Sequence, residues 1–184
     1  MGKFFKKYGV YMLALSLILA VGIMAGTTPA NEQLPDVSEP AGSTPLEMVC
    51  PMSDAEVLKW YSDTELFYNS TLKQWESHKA VDLCSSASND VYSVLDGIVT
   101  NCSYSYEDGY CITITHQDGL ATTYCSLAKT DAIKQGDIVS RGQKIGEASN
   151  TSSNEGLEGN HLHFAISLNG KSVDPSNYIT FENK

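Results

Sequence analysis

From Leu72 onwards, apolar residues recur at alternate positions in short runs, each cut off by Gly, Asp, Asn or Ser. Residues two apart on an extended chain share a face, so this texture describes half-buried strands rather than helices. It predicts an all-β, antiparallel β-sheet domain over residues 72–184, without internal repeats or a long amphipathic helix. Candidate strands are 80–83, 90–94, 97–102, 111–115, 121–127, 144–147 and 162–168, with a further turn-rich ribbon around Gly136-Asp137-Ile138-Val139. Asp118-Gly119 reads as a hairpin turn. Centring the turn there pairs His116 with Ala121, Thr115 with Thr122 and, further out, Cys111 with Ser126. The neighbouring hairpin, closed by residues 103–110, would set Cys102 opposite Cys111.

The last run, Asn160-His161-Leu162-His163-Phe164, follows a Gly/Asn/Ser-rich loop. On a strand His161 and His163 point one way and Leu162 the other. Paired neutral imidazoles suit a divalent metal such as zinc. Two unrelated histidines on a surface strand would give the same three letters. A second cluster, His78-Lys79-Ala80-Val81-Asp82, is by itself common by chance and reads equally as a surface salt-linked pair, but the two motifs together are much more specific. Its spacing of four puts His78 and Asp82 on one face in either helical or extended backbone. His78, Asp82 and one histidine of the later pair then form a three-ligand site with one tetrahedral position left for water, the catalytic rather than structural pattern.

The ends of the chain differ in charge. Before residue 30 the only charges are Lys3, Lys6 and Lys7; beyond it nine Lys/Arg face all twenty-two Asp/Glu, a balance of about −13. So acidic a surface repels phosphate backbones, which excludes nucleic acid as a partner. Residues 8–26 are uncharged, mostly apolar and long enough to cross a bilayer. The basic stub 1–7 would stay cytoplasmic, leaving the acidic part outside as a single-pass membrane protein. A cleaved export signal is the rival reading, with an unusually long apolar core and Thr28-Pro29-Ala30 as a poor cleavage site. Residues 27–71 are expected to be a solvated linker and arm. Within the arm, Ser53 and Glu56 could form a capping box, which suggests a short helix or an irregular segment over 53–68.

Five cysteines (Cys50, Cys84, Cys102, Cys111 and Cys125) occur in the exported part, where disulfides form. With no Cys-x-x-Cys, a cysteine zinc cluster is not expected. The strand register suggests Cys102–Cys111 as a cross-strand disulfide and Cys84–Cys125 as a weaker pairing, against buried free thiols. Cys50, ahead of the strands, is the natural unpaired residue.

The order His78-x-x-x-Asp82, Val91-Tyr92-Ser93-Val94-Leu95-Asp96-Gly97-Ile98-Val99, Ile114-Thr115-His116-Gln117-Asp118-Gly119, Gly136-Asp137-Ile138-Val139, Gly142-Gln143-Lys144-Ile145-Gly146 and His161-Leu162-His163-Phe164 resembles the M23 (lysostaphin/LytM-type) endopeptidases. These cut peptide cross-links in bacterial cell walls. The resemblance implies a lysostaphin-like β core with Zn2+ held by His78, Asp82 and His163, and with His161 as a catalytic residue beside the metal. Another active-site histidine of the family falls in a Tyr-x-His-Leu segment; here it reads Tyr124-Cys125-Ser126-Leu127, with Ser126 in the histidine's place. A hydroxyl is too weakly basic to replace an imidazole near neutral pH, and loss of a positioned acid–base group costs about 10²–10⁴-fold in rate. His116 is read as a structural strand-end histidine that does not compensate. Lys79-Ala80 also replaces the Gly that usually follows the first zinc histidine.

The expectation is therefore a membrane-anchored, extracytoplasmic, zinc-binding domain with weak or no peptidase activity. It would be an interaction module similar to family members on the forespore side of a sporulation channel, which pair with a membrane-anchored protein across an intermembrane space. The alternative is an active zinc-dependent endopeptidase acting on peptidoglycan. A biotinyl- or lipoyl-type carrier shares the Gly-Asp-x-Val and Gly-Gln-x-Ile-Gly turns, but leaves both histidine motifs unexplained.

Overall fold

The computed structural model describes residues 47–181. The basic stub, the apolar run 8–26 and most of the expected linker lie outside these residues. Among the described residues no helix is long and apolar enough to cross a membrane. They form twelve strands: β1 (Glu56–Lys59), β2 (Ser62–Asn69), β3 (Gln74–His78), β4 (Val81–Cys84), β5 (Asp90–Tyr92), β6 (Gly97–Ser105), β7 (Gly109–Thr115), β8 (Leu120–Leu127), β9 (Ile138–Val139), β10 (Lys144–Glu147), β11 (Leu162–Leu168) and β12 (Lys171–Val173). Two single 3₁₀ turns, Gly156–Glu158 and Pro175–Asn177, complete them.

The main sheet runs β1-β4-β11-β8-β7-β6-β9, antiparallel throughout, with β12 paired to β11. The alternation of β11 sets its two faces. Leu162, Phe164 and Ile166 are fully buried, beside Val81 and Leu83 of β4 and Ile112 and Ile114 of β7 in one core cluster. His163 and Asp82, the residues between them, face the other side and sit opposite each other as cross-strand partners. Burying such side chains supplies about 1.5–3 kcal/mol apiece, enough to fix the strand register. β5 pairs with β10, and β2 with β3 in a separate hairpin that carries Leu66, Tyr68 and Trp75 exposed.

Three expectations change. The arm over 53–68 is neither helical nor irregular: it forms β1 and β2, and β1 joins the main sheet against β4. Ser53 and Glu56 do not cap a helix; Met48 and Met52, just upstream, belong to the core. The β7–β8 hairpin closes with the three-residue loop Gln117-Asp118-Gly119, whose Asp118 and Gly119 have φ of 56° and 75°. His116 N donates to the Leu120 carbonyl, and the register moves by one, to Thr115↔Ala121 and Ile114↔Thr122.

A bulge then offsets that shift. Between the pairs Tyr110↔Leu127 and Ile112↔Tyr124, Cys111 alone faces both Cys125 and Ser126, and Ser126 takes a φ of 59°. The disulfide is Cys111–Cys125, not Cys102–Cys111 or Cys84–Cys125. Cys102 pairs across the sheet with Ile112 rather than Cys111 and is an exposed free thiol; Cys50 and Cys84 are also free.

The closed loop spans a sequence separation of 14. Unfolding without reduction, followed by alkylation and mass analysis, should label the three free cysteines Cys50, Cys84 and Cys102. Reducing the bond should lower stability by about 3 kcal/mol, read from denaturant midpoints. Labelling of Cys111 in the unreduced chain would exclude this pairing.

Candidate metal centre

Asp82 is fully buried on β4, and its two oxygens divide the site between them. Oδ1 accepts from His163 Nδ1 at 2.8 Å. Oδ2 lies 3.1 Å from His78 Nε2 and accepts from Lys59 Nζ at 3.0 Å. His78 closes β3, and the bend at Lys79-Ala80 swings the chain into β4, so the four-residue spacing is spent turning a corner rather than following one element.

Glu155 comes from the Ser/Asn/Gly-rich loop before His161. Its Oε2 lies 3.2 Å from His163 Nδ1 and 3.4 Å from His161 Nε2, while Oε1 lies 3.7 Å from His78 Nε2 and 3.0 Å from Lys59 Nζ. The loop is fastened on two sides. Ser152 Oγ donates to the Glu107 carbonyl at 2.7 Å, Asn154 N donates to the same carbonyl, and Asn69 Nδ2 donates to the Asn154 carbonyl at 2.9 Å. Gly109, with φ of 72°, permits this approach, because a Cβ there would meet the Thr151 and Ser152 backbone at 2.8 and 2.9 Å.

The donor atoms of His78, Asp82, Glu155 and His163 lie within 4.8 Å of one another. His78 Nδ1 donates to the Trp60 carbonyl at 3.0 Å, which fixes the tautomer and turns the Nε2 lone pair toward the two carboxylates. That Nε2 is buried and has no hydrogen-bond partner. At 3.1 Å from Asp82 Oδ2 it is close without the geometry of a hydrogen bond. A lone pair aimed at carboxylates is what a cation reconciles, and two imidazoles with two carboxylates suit zinc. The residues present therefore fit the metal.

Burial works against charge at every group here, and pairing reverses it. The hydrogen bond from His163 leads in holding Asp82 well below the usual carboxylate range, and those from His161 and His163 do the same for Glu155. Although the His163 side chain stays 28% exposed, its burial is the leading opposing effect; bonds to Asp82 and then Glu155 still push it up to about 10. His161, fully buried with Nδ1 on the Gly159 carbonyl at 2.9 Å, is raised against its burial by the hydrogen bond to Glu155. Glu158 is raised, chiefly by burial, despite its bond to Lys59.

Of the residues expected at the site, His78, Asp82, His163 and His161 converge around Glu155. Ser126 does not join them: it is buried, and its hydroxyl donates to the Ser149 carbonyl at 2.9 Å. His116 is buried at its strand end, Nδ1 donating to the Asp96 carbonyl and Nε2 meeting Thr122 Oγ1. Burial lowers it. Sequence reasoning missed Glu155, Glu158 and Lys59. A polar loop gives a carboxylate no periodic signature, and Lys59 has no spacing relation to either histidine motif.

The profile of Peptidase family M23 matches residues 76–175. The chain belongs to this family. It is 33% identical over 114 residues to stage II sporulation protein Q of Bacillus subtilis, covering 61% of this chain and 38% of that protein. It is 31% identical over 102 residues to the peptidoglycan DD-endopeptidase ShyA of Vibrio cholerae, covering 55% and 23%. The chain thus spans well under half of these curated relatives. Among solved structures, the SpoIIQ–SpoIIIAH pore forming complex matches with a TM-score of 0.63 and 28% identity over 72% of this chain and 90% of that one. The catalytic domain of lysostaphin from Staphylococcus simulans shares the fold, with a TM-score of 0.55 and 24% identity over 68% of this chain and 92% of that one.

The opposite shifts of the site define a pH window. Asp82 and Glu155 are depressed, so their contribution to stability is present above the ordinary carboxylate pKa of about 4 and is lost as pH falls. His163 is raised, so its contribution is full below the ordinary histidine value of about 6.5 and is lost as pH climbs through its folded value. Thermal melts of metal-free protein should fall progressively between those limits on the alkaline side, and His163→Gln should flatten that limb. Zinc affinity should rise with pH across the same interval, because the ion takes the nitrogen that carries the proton. An alkaline limb unchanged in His163→Gln would contradict the assignment.

Proposed function

We propose that this chain is a membrane-anchored, extracytoplasmic member of family M23 that binds zinc and works mainly as an interaction module, with weak or no peptidase activity. The carrying observation is the donor set around Asp82: a second carboxylate, Glu155, stands with His78 and His163 where a hydrolytic centre needs an open position. Ser126 adds to it, since its hydroxyl is committed to a backbone carbonyl. Zinc, when bound, would supply a Lewis acid held by His78, Asp82 and His163. The fold around it would then be a metal-stiffened scaffold.

Similarity to stage II sporulation protein Q and to the SpoIIQ–SpoIIIAH pore forming complex supports a protein partner; in this reading that partner is membrane-anchored and lies across an intermembrane space. The exposed Leu66, Tyr68 and Trp75 of the β2–β3 hairpin give such a module an apolar face on an otherwise acidic domain. The apolar run 8–26 would be its anchor. A second reading, cleavage of peptidoglycan peptide cross-links, is favoured by one observation. His161 is buried beside Glu155, held by the Gly159 carbonyl and able to keep a proton next to His163.

Zinc-loaded protein incubated with purified peptidoglycan and cross-bridge peptides should release few or no fragments. Release abolished by His161→Ala would replace the module reading with the endopeptidase one. Ser126→His in the same assay separates the two defects. A large gain would make the missing imidazole the sole block, whereas no gain agrees with a centre closed by Glu155.

A further inference from the structure

Among the described residues, Lys59 is the only lysine seated on the candidate ligands. Its ammonium meets Asp82 Oδ2 at 3.0 Å, Glu155 Oε1 at 3.0 Å and Glu158 Oε1 at 2.6 Å, and its side chain is 13% exposed. An ammonium has three donors, and here three carboxylates meet it. The oxygens it takes from Asp82 and Glu155 are those facing the unpartnered His78 Nε2.

The backbone enforces this placement. In the β1–β4 ladder Val57 lies opposite Leu83 and Lys59 opposite Asp82, so Leu58 is the extra residue of a bulge. In an unbroken ladder Leu58 would face Asp82, and an apolar side chain would cover the acid. The bulge sends Leu58 outward, 47% exposed, and turns the cation inward. Glu158 lies three residues after Glu155 in the same loop, with Oε2 buried and unpartnered. It can keep the ammonium if Asp82 and Glu155 give it up.

We propose that Lys59 is a built-in competitor for the metal: it holds Asp82 and Glu155 in the metal-free protein, and metal binding transfers Glu155 from Lys59 to the ion as the fourth protein ligand, leaving the ammonium on Glu158. This rests on the zinc-binding reading above. A divalent ion at His78 Nε2 and His163 Nδ1 needs the oxygens that Lys59 occupies, and like charges repel strongly in so buried a setting. Metal affinity in this chain is therefore set partly by a residue that is not a ligand. The exchange also ties occupancy of the centre to β1, the first strand of the described fold.

Zinc affinity of the full chain, measured by competition with a chromophoric chelator, tests this. Lys59→Met should bind zinc about tenfold or more tightly than the parent, equivalent to about 1.4 kcal/mol. Lys59→Arg, which keeps the charge, should bind no more tightly than the parent. Adding Glu155→Gln to Lys59→Met should remove the gain. Melting curves of each metal-free variant verify that the fold persists. Equal or weaker binding by Lys59→Met would overturn the competition, and a gain that survives Glu155→Gln would overturn the transfer of Glu155. Absence of zinc binding in the parent and every variant would instead strike the zinc-binding reading on which the proposal stands.

Discussion

A carboxylate with no solvent contact lies between two strands of the main sheet, and the surrounding structure is arranged to tolerate its charge. Asp82 is flanked in sequence by Val81 and Leu83, both fully buried in the core on the opposite face, so it cannot turn toward water without unthreading β4. An isolated buried charge is costly, and removing one partner from a buried pair destabilises by about 3–5 kcal/mol. Four segments therefore meet on this one group: β1 through Lys59, the end of β3 through His78, β11 through His163, and the loop before His161 indirectly through Glu155.

The same geometry bears on chemistry. A hydrolytic metal site leaves one position open, whereas a structural site fills all four with protein. Glu155 is set in a loop that the end of β2 and the β6–β7 turn hold down, so its presence beside Asp82 is not a fluctuation of a free side chain. The domain has the architecture of family M23, with an extra carboxylate beside the candidate ligands and a serine, Ser126, that lies away from them. His161 is fully buried and doubly held.

Much of the architecture was legible from period-two patterning. The strands at 144–147 and 162–168 match the structure at both ends, and the others in that series differ by a few residues. The two histidine motifs point to one site, and the structure brings their side chains together. What was not legible has identifiable physical causes. The hairpin turn takes three residues, Gln117-Asp118-Gly119, although positive φ at Asp118 and Gly119 would suit a two-residue turn as well; a turn dipeptide does not state its loop length. The disulfide follows from a bulge, whose extra residue leaves no periodic trace. β1 has only four residues, and its burial depends on β4, a neighbour distant in sequence. Glu155 was hidden for a similar reason: its position is decided by the contacts of its loop with Glu107 and with Asn69 at the end of β2, not by neighbours in the chain.

Cys125 is the cross-strand partner of His163, which puts the disulfide one strand away from the ligands although it touches none of them. At the bulge the β7–β8 ladder is interrupted, so the covalent link is what closes the two strands there. In an oxidising compartment β11 rests on a clamped neighbour, and the His163 ring is presented from a stiff platform. Where thiols are kept reduced, the same ring rides on a pair of strands joined less firmly at that point. A chain folded under reducing conditions would bring the same side chains together on a softer support.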